Sequence, residues 1–91
     1  MIVRIAGEGQ HRLSEPQATH LNSVDERLSA AVDANDEVEF RALFAQMLLA
    51  VEQGEPVPVE DLAPSDVVLP ARDTTLHEAR DLAGPDGLVP G

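Results

Sequence analysis

The chain has no cysteine, no lysine, no tryptophan and no tyrosine, and its only aromatic residues are Phe40 and Phe44. Without cysteine there are no disulfides, no thiolate metal sites and no cysteine nucleophile. With two rings in the whole chain, any core has to be aliphatic. Long apolar runs are missing as well. The longest, such as Met47–Val51, is far too short to cross a bilayer. The Met1–Ile5 start has no charged region followed by an apolar stretch, so a signal peptide is not expected and a cytoplasmic location is the default. Positive charge is scarce: six arginines stand against 17 acidic residues, for a net charge of −11. That field repels nucleic acid and anionic lipid, so neither nucleic-acid binding nor direct membrane insertion is expected. The natural partner of such a surface is a basic protein surface, although solubility alone is the plainer account of the composition.

What is present suffices for one small domain spanning residues 1–91. Hydrophobic residues make up 43% of the chain. At this size folding buries only about 60–65% of the chain's surface, so stability is modest and a partner can matter.

The chain is organised around residues 14–54, which read as two amphipathic helices joined by a tight polar turn. Ser14 can cap the Gln17 amide while Gln17 reaches back to Ser14, and Pro16 falls in the first turn. Leu21, Val24, Leu28 and Ala31 or Val32 then recur at helical spacing, with Asp25, Glu26, Arg27 and Asp33 off the stripe. This predicts a helix from Glu15 to about Ala34. Asn35-Asp36 breaks it, and Asp36 with Glu39 offers a second capping box. Phe40, Leu43, Phe44, Met47, Leu48 and Val51 form a second, broader stripe, with Gly54 as the C′ residue. A turn this short makes the two helices antiparallel neighbours.

On one side of the hairpin, residues 1–13 read as a strand, Ile2–Ala6, a turn at Gly7-Glu8-Gly9, and a short return strand over Gln10–Leu13. On the other side, Glu55–Pro64 is an extended connector carrying Pro56, Pro58 and Pro64. Val67–Leu69 is a short strand suited to pair with the N-terminal hairpin, its flanking prolines limiting it to an edge or a brief central segment. A third helix starts at Asp73-Thr74-Thr75, with Asp73 or Thr75 as cap and Leu76, Ala79, Leu82 and Ala83 as its apolar face. Gly84 ends it, Pro85-Asp86-Gly87 makes a tight turn, and Leu88 and Val89 are apolar residues in an otherwise polar tail. The fold class is therefore α+β: an antiparallel helical hairpin, a small β-sheet and a short third helix.

Catalytic signals are weak. Gly7-Glu8-Gly9 follows a strand, as a phosphate loop does, but Arg12 stands where the third glycine belongs, the helix starts too late, and Glu8 would repel phosphate. His11, His20 and His77 lack the spacing of a zinc site, and surface positions account for all three. Asp66, beside Val67-Val68, is the one carboxylate in an apolar context, and capping or turning the chain after Pro64 explains it. No serine sits in a nucleophile elbow. No catalytic residue, cofactor or metal is assigned, and the chain reads as a non-enzyme.

The terminal strings say more. MIVRIAGEGQ at Met1–Gln10, PSDVVLP at Pro64–Pro70 and GLVPG at Gly87–Gly91, with the amphipathic pair between them, resemble the PspA-associated domain family, PspAA. The resemblance covers essentially the whole chain. It implies a small cytoplasmic protein of actinobacteria and archaea that serves the phage-shock protein A system. PspA-like proteins are coiled-coil membrane-remodelling proteins that guard the inner membrane under envelope stress. By that resemblance the chain is an adaptor or regulatory partner of such a protein, reaching the inner membrane face through it.

The expected docking surface is the outer face of the hairpin, where acidic residues concentrate. The residues assigned to it are Asp33, Asp36, Glu37 and Glu39, with Phe40, Leu43 and Met47 from the broad stripe of the second helix. The alternative from a different class is a self-associating structural module, a homo-oligomer formed through the helix stripe or through Leu88-Val89.

Overall fold

A computed structural model describes residues 1–84 and 87–89. Among them the chain forms three α-helices, one 3₁₀ turn and a four-stranded mixed sheet, an α+β fold.

Helix α1 spans Glu15–Asp33 and α2 spans Glu37–Glu52. The start of α1 is the expected reciprocal box: the Gln17 amide donates to the Ser14 hydroxyl at 3.3 Å, and Ser14 N–H donates to Gln17 Oε1 at 2.8 Å. Its end is a Schellman motif. Asn35 takes φ 56°, its N–H donates to the Val32 carbonyl, and Asp36 N–H donates to the Ala31 carbonyl. The chain then reverses, and α2 runs back along α1, so that Gln17 Nε2 donates to the Gln53 carbonyl at 3.2 Å. Asp36 caps α2 by accepting from the Glu39 amide at 3.1 Å. The anticipated second capping box is only half formed, because the Asp36 N–H is already committed to Ala31 and the Glu39 carboxylate lies 3.7 Å from Arg27.

Strand β1 (Ile2–Ile5) is central. It pairs antiparallel with β2 (Gln10–Arg12) and parallel with β4 (Val67–Leu69), while β3 (Glu55–Val57) pairs with the far side of β2. Alternation sends Val3, Ile5, Val67 and Leu69 into the core and leaves Arg4 and Val68 exposed. Asp66 locks the parallel register: its carboxylate accepts from Ile2 N–H at 2.7 Å, and its own N–H donates to the Ile2 carbonyl. The connector between β3 and β4 folds over the outer face. Gln10 Nε2 donates to the Ala63 carbonyl, and the Ser65 hydroxyl donates to Gln10 Oε1. β3 falls in the stretch that the sequence shows only as an extended connector. Pro56 is compatible with it because an edge strand leaves one side unpaired and needs no N–H there.

Both helical stripes are core, as their spacing predicts. Leu21, Val24 and Leu28 of α1 and Phe44, Leu48 and Val51 of α2 are buried in one cluster with the inner sheet face. Phe40 and Phe44 stack at 5.6 Å between ring centroids. Helix α3 (Leu76–Leu82) is capped by Thr75, with Glu78 completing the box. It buries Leu76 and Ala79, whereas Leu82 is exposed, so its apolar face is narrower than the spacing suggests. The turn read over Pro85-Asp86-Gly87 lies at residues 85 and 86 outside the described residues. Gly84 and Gly87 on either side exchange both backbone hydrogen bonds.

Gly54 takes the anticipated C′ position, but not in the left-handed conformation that usually calls for glycine there. The left-handed positions among the described residues are Gly7, Asn35, Leu62 and Gly87. Glycine is needed there for a close approach: a Cβ would sit 2.5 Å from Leu13 Cδ2 and 2.8 Å from the Arg12 carbonyl oxygen. Leu13 can rotate, but the Arg12 backbone is held in the sheet. Gly54→Ala is therefore expected to destabilise the fold by about 1–3 kcal/mol in urea denaturation, the usual range for overpacking. Gly9→Ala, where a Cβ meets nothing within 4 Å, is the control and should stay close to wild type.

Candidate partner-binding surfaces

The acidic end of the hairpin is solvent-exposed. Asp33 closes α1, Asp36 caps α2, and Glu37 and Glu39 lie in the first turn of α2, all four exposed. Val38 between them exposes 81% of its surface and went unremarked in the sequence. The patch is not a bare negative field. Arg41 pairs with Glu37 at 3.0 Å and Arg27 approaches Glu39 at 3.7 Å, so two of the four carboxylates have a neighbouring cation. Surface pairs of this kind contribute about 0–1 kcal/mol each, and a partner's basic groups can compete for them.

Phe40, Leu43 and Met47 are not on this surface. Each is at most 1% exposed, packed in the core against α1 and the rest of the cluster. The breadth of the α2 stripe reflects burial on several sides, and fully burying such a side chain is worth about 1.5–3 kcal/mol, more than an exposed docking stripe would return in the free protein. They are removed from the candidate surface. The tail offers no docking stripe through Val89 either, since that residue is 1% exposed within its own chain's core.

The most buried charged group lies elsewhere. Asp25 of α1 is 2% exposed. It sits in register with the stripe, four residues after Leu21 and three before Leu28, and not off it as its charge suggests. Its carboxylate accepts from Leu88 N–H and from Val89 N–H, both at 3.0 Å, clasping the end of the chain onto α1. Gly87 takes φ +88° against it, where a Cβ would sit 2.6 Å from Asp25 Oδ2. A carboxylate in a stripe position was the one available signal, and nothing local shows that backbone amides more than sixty residues away would satisfy it.

The arginines are largely engaged within the fold. Arg72 donates to both Glu8 oxygens, at 2.7 and 2.9 Å, and its Nη2 lies 3.1 Å from Glu52, joining the β1–β2 turn to the end of α2. Arg80 donates to the Val32 carbonyl and to Asn35 Oδ1 at the end of α1. Arg4 donates to the Glu8 carbonyl. Glu8 thus fills the Gly7–Gly9 turn with a paired carboxylate, and the Arg72 guanidinium holds that carboxyl below its ordinary value. This is the opposite of a phosphate cradle. His20 and His77 are exposed, His77 lying 3.7 Å from Asp81, and His11 is half-buried in β2. Among the described residues no three His, Asp or Glu side chains converge as a metal site. None of the described helices is long and apolar enough to cross a membrane.

One groove of mixed lining lies on the outer face of the sheet. It has a volume of about 380 Å³ and is lined by Arg4, Gln10, Val57, Val59, Leu62 and Ala63. A second opening of about 430 Å³ lies beside β4, where Val68, Pro70, Leu82 and Leu88 meet.

A family model described as PspA-Associated protein matches residues 1–91, the whole chain, and the chain belongs to that family. No curated protein and no solved structure gives a match.

Burial pushes the Asp25 carboxyl above its ordinary 3.8, and the Val89 and Leu88 amides offset part of that rise. A folded value above the unfolded one gives a contribution that is complete below 3.8 and is lost as pH rises through the folded value. Asp25→Asn cannot titrate and can accept only one of the two amides cleanly. Its stability deficit relative to wild type should be largest in acid and narrow as pH rises above the ordinary carboxylate range. Asp25→Ala leaves both amides unpaired and should cost about 1–3 kcal/mol. Thermal denaturation across pH of the three proteins checks this, and a deficit that grows with pH would contradict the assigned direction.

Proposed function

We propose that this member of the PspA-associated family is a non-enzymatic adaptor or regulatory partner of a PspA-like, coiled-coil membrane-remodelling protein. It would act in the envelope stress response, in the cytoplasm, reaching the inner membrane face only through that partner. The observation that carries this reading is the match of the PspA-associated family model over residues 1–91.

The acidic hairpin end supplies a physical route to association. Asp33, Asp36, Glu37 and Glu39 project from one end of the two longest helices, around the exposed Val38. A basic stretch of a charged helical partner would be drawn to them. Such complementarity acts chiefly on the association rate and on partner choice, and salt screens it over about 8–10 Å. Val38 would then contribute apolar contact once the carboxylates have oriented the encounter.

The expected result is co-purification of the chain with a PspA-like protein, weakened by moderate salt. Reversing Asp33, Glu37 and Glu39 to lysine should abolish it without loss of helical circular dichroism, because all three side chains are exposed. Co-purification that survives the triple reversal sinks the electrostatic route, and wild-type chain that never co-purifies sinks the partner reading.

A further inference from the structure

The segment after β3 carries one costly backbone conformation. Its 3₁₀ turn, Val59–Asp61, ends at Leu62 with φ 53° and ψ 22°. The left-handed region crowds Cβ against the backbone and costs an ordinary residue about 1–2 kcal/mol, so glycine and asparagine normally take it. The chain follows that rule at the other positive-φ positions among the described residues, Gly7, Asn35 and Gly87. Only here does it place a leucine.

Nor is the strain offset by burial. Leu62 exposes 86% of its surface and Val59 exposes 88%. Both line the groove of about 380 Å³ on the outer sheet face, together with Arg4, Gly9, Gln10, Val57 and Ala63. Val68, paired with Arg4 on that same face, is 58% exposed. Backbone strain held where it returns no packing is a mark of function.

We infer that this groove is an anchor subsite for the apolar face of a basic amphipathic helix, with Leu62 and Val59 gripping its aliphatic side chains. The inference rests on the reading of the chain as a partner of a PspA-like protein, and places a second contact at the sheet, away from the hairpin turn. Charge selects the occupant. Glu60 and Asp61 stand exposed between Val59 and Leu62, and Glu55 stands exposed on β3. These three flanking carboxylates outnumber Arg4, the one charged residue of the lining, and suit lysines or arginines flanking an apolar stripe. A net charge of −11 opposes a second copy of the chain and an anionic lipid surface alike. A helix laid in such a groove presents its apolar anchors at i, i+3 or i+4.

Leu62→Gly separates this role from a structural one. Glycine relieves the left-handed strain, so the variant should melt at or above the wild-type temperature. Its affinity for a purified PspA-like protein should nevertheless fall about tenfold or more by titration calorimetry, as should that of Val59→Ser. Undiminished affinity in both variants overturns the inference. So does a concentration-dependent dimer in sedimentation velocity that Leu62→Gly abolishes, because the occupant would then be a second copy. A synthetic helix with leucines on one face and lysines on the other provides an independent probe. It should shift the backbone amide resonances of Val57, Val59 and Leu62, and no shift there overturns the inference. If that peptide binds the groove while the PspA-like protein fails to bind wild type, the partner reading falls and the groove stands.

Discussion

The apolar seam between α1 and α2 is the constraint on which the rest of the structure depends. Nineteen and sixteen residues long, these helices are the only described elements with enough buried aliphatic surface to hold each other in place. The four strands are three or four residues each, too short to stand in water alone. They persist because Val3, Ile5, Val67 and Leu69 lie in the same cluster as Leu28 and Phe44. With only two aromatic rings in the chain, that cluster depends on the number of aliphatic contacts rather than on a few large anchors.

Polar ties between distant parts of the chain complete what the seam begins. Asp66 fixes the parallel β4 to the start of β1, Gln10 holds the connector down on the sheet, Arg72 joins the Glu8 turn to the end of α2, and Asp25 clasps the tail. In each a side chain is bound to backbone or to an opposite charge far away in sequence. Such ties specify where short elements dock more than they add net stability, since each replaces hydrogen bonds to water. Arg72 stays exposed while it pairs with Glu8 and Glu52, so that tie also offsets part of the acidic surface.

The helical hairpin was legible in the sequence because its signals are local. The Ser14 box, the Asn35-Asp36 break and the two stripes all lie within a few residues of what they control. What failed to show was non-local. Asp25 sits in a stripe position, yet nothing nearby reveals that Leu88 and Val89 amides will satisfy it. β3 looked like connector because Pro56 forbids a central strand, and only the position of β2 makes an edge available. Phe40, Leu43 and Met47 widened the α2 stripe in a way that reads equally as docking surface or as core, and only the packing around α2 decides for core. Of the candidate site, the four carboxylates were legible, whereas Val38 and the strained Leu62 were not, since an isolated aliphatic residue in a polar stretch carries no pattern.

The resulting account separates a rigid interior from two exposed surfaces, the acidic hairpin end and the groove behind the sheet. A partner engaging them need not open the core. Amide hydrogen exchange of the chain, alone and with a purified PspA-like protein, tests that claim most directly. The account predicts new protection confined to residues 33–39 and 57–63, with the amides of the α1–α2 seam unchanged. Protection absent from both segments, or a seam that exchanges faster in the complex, would contradict it.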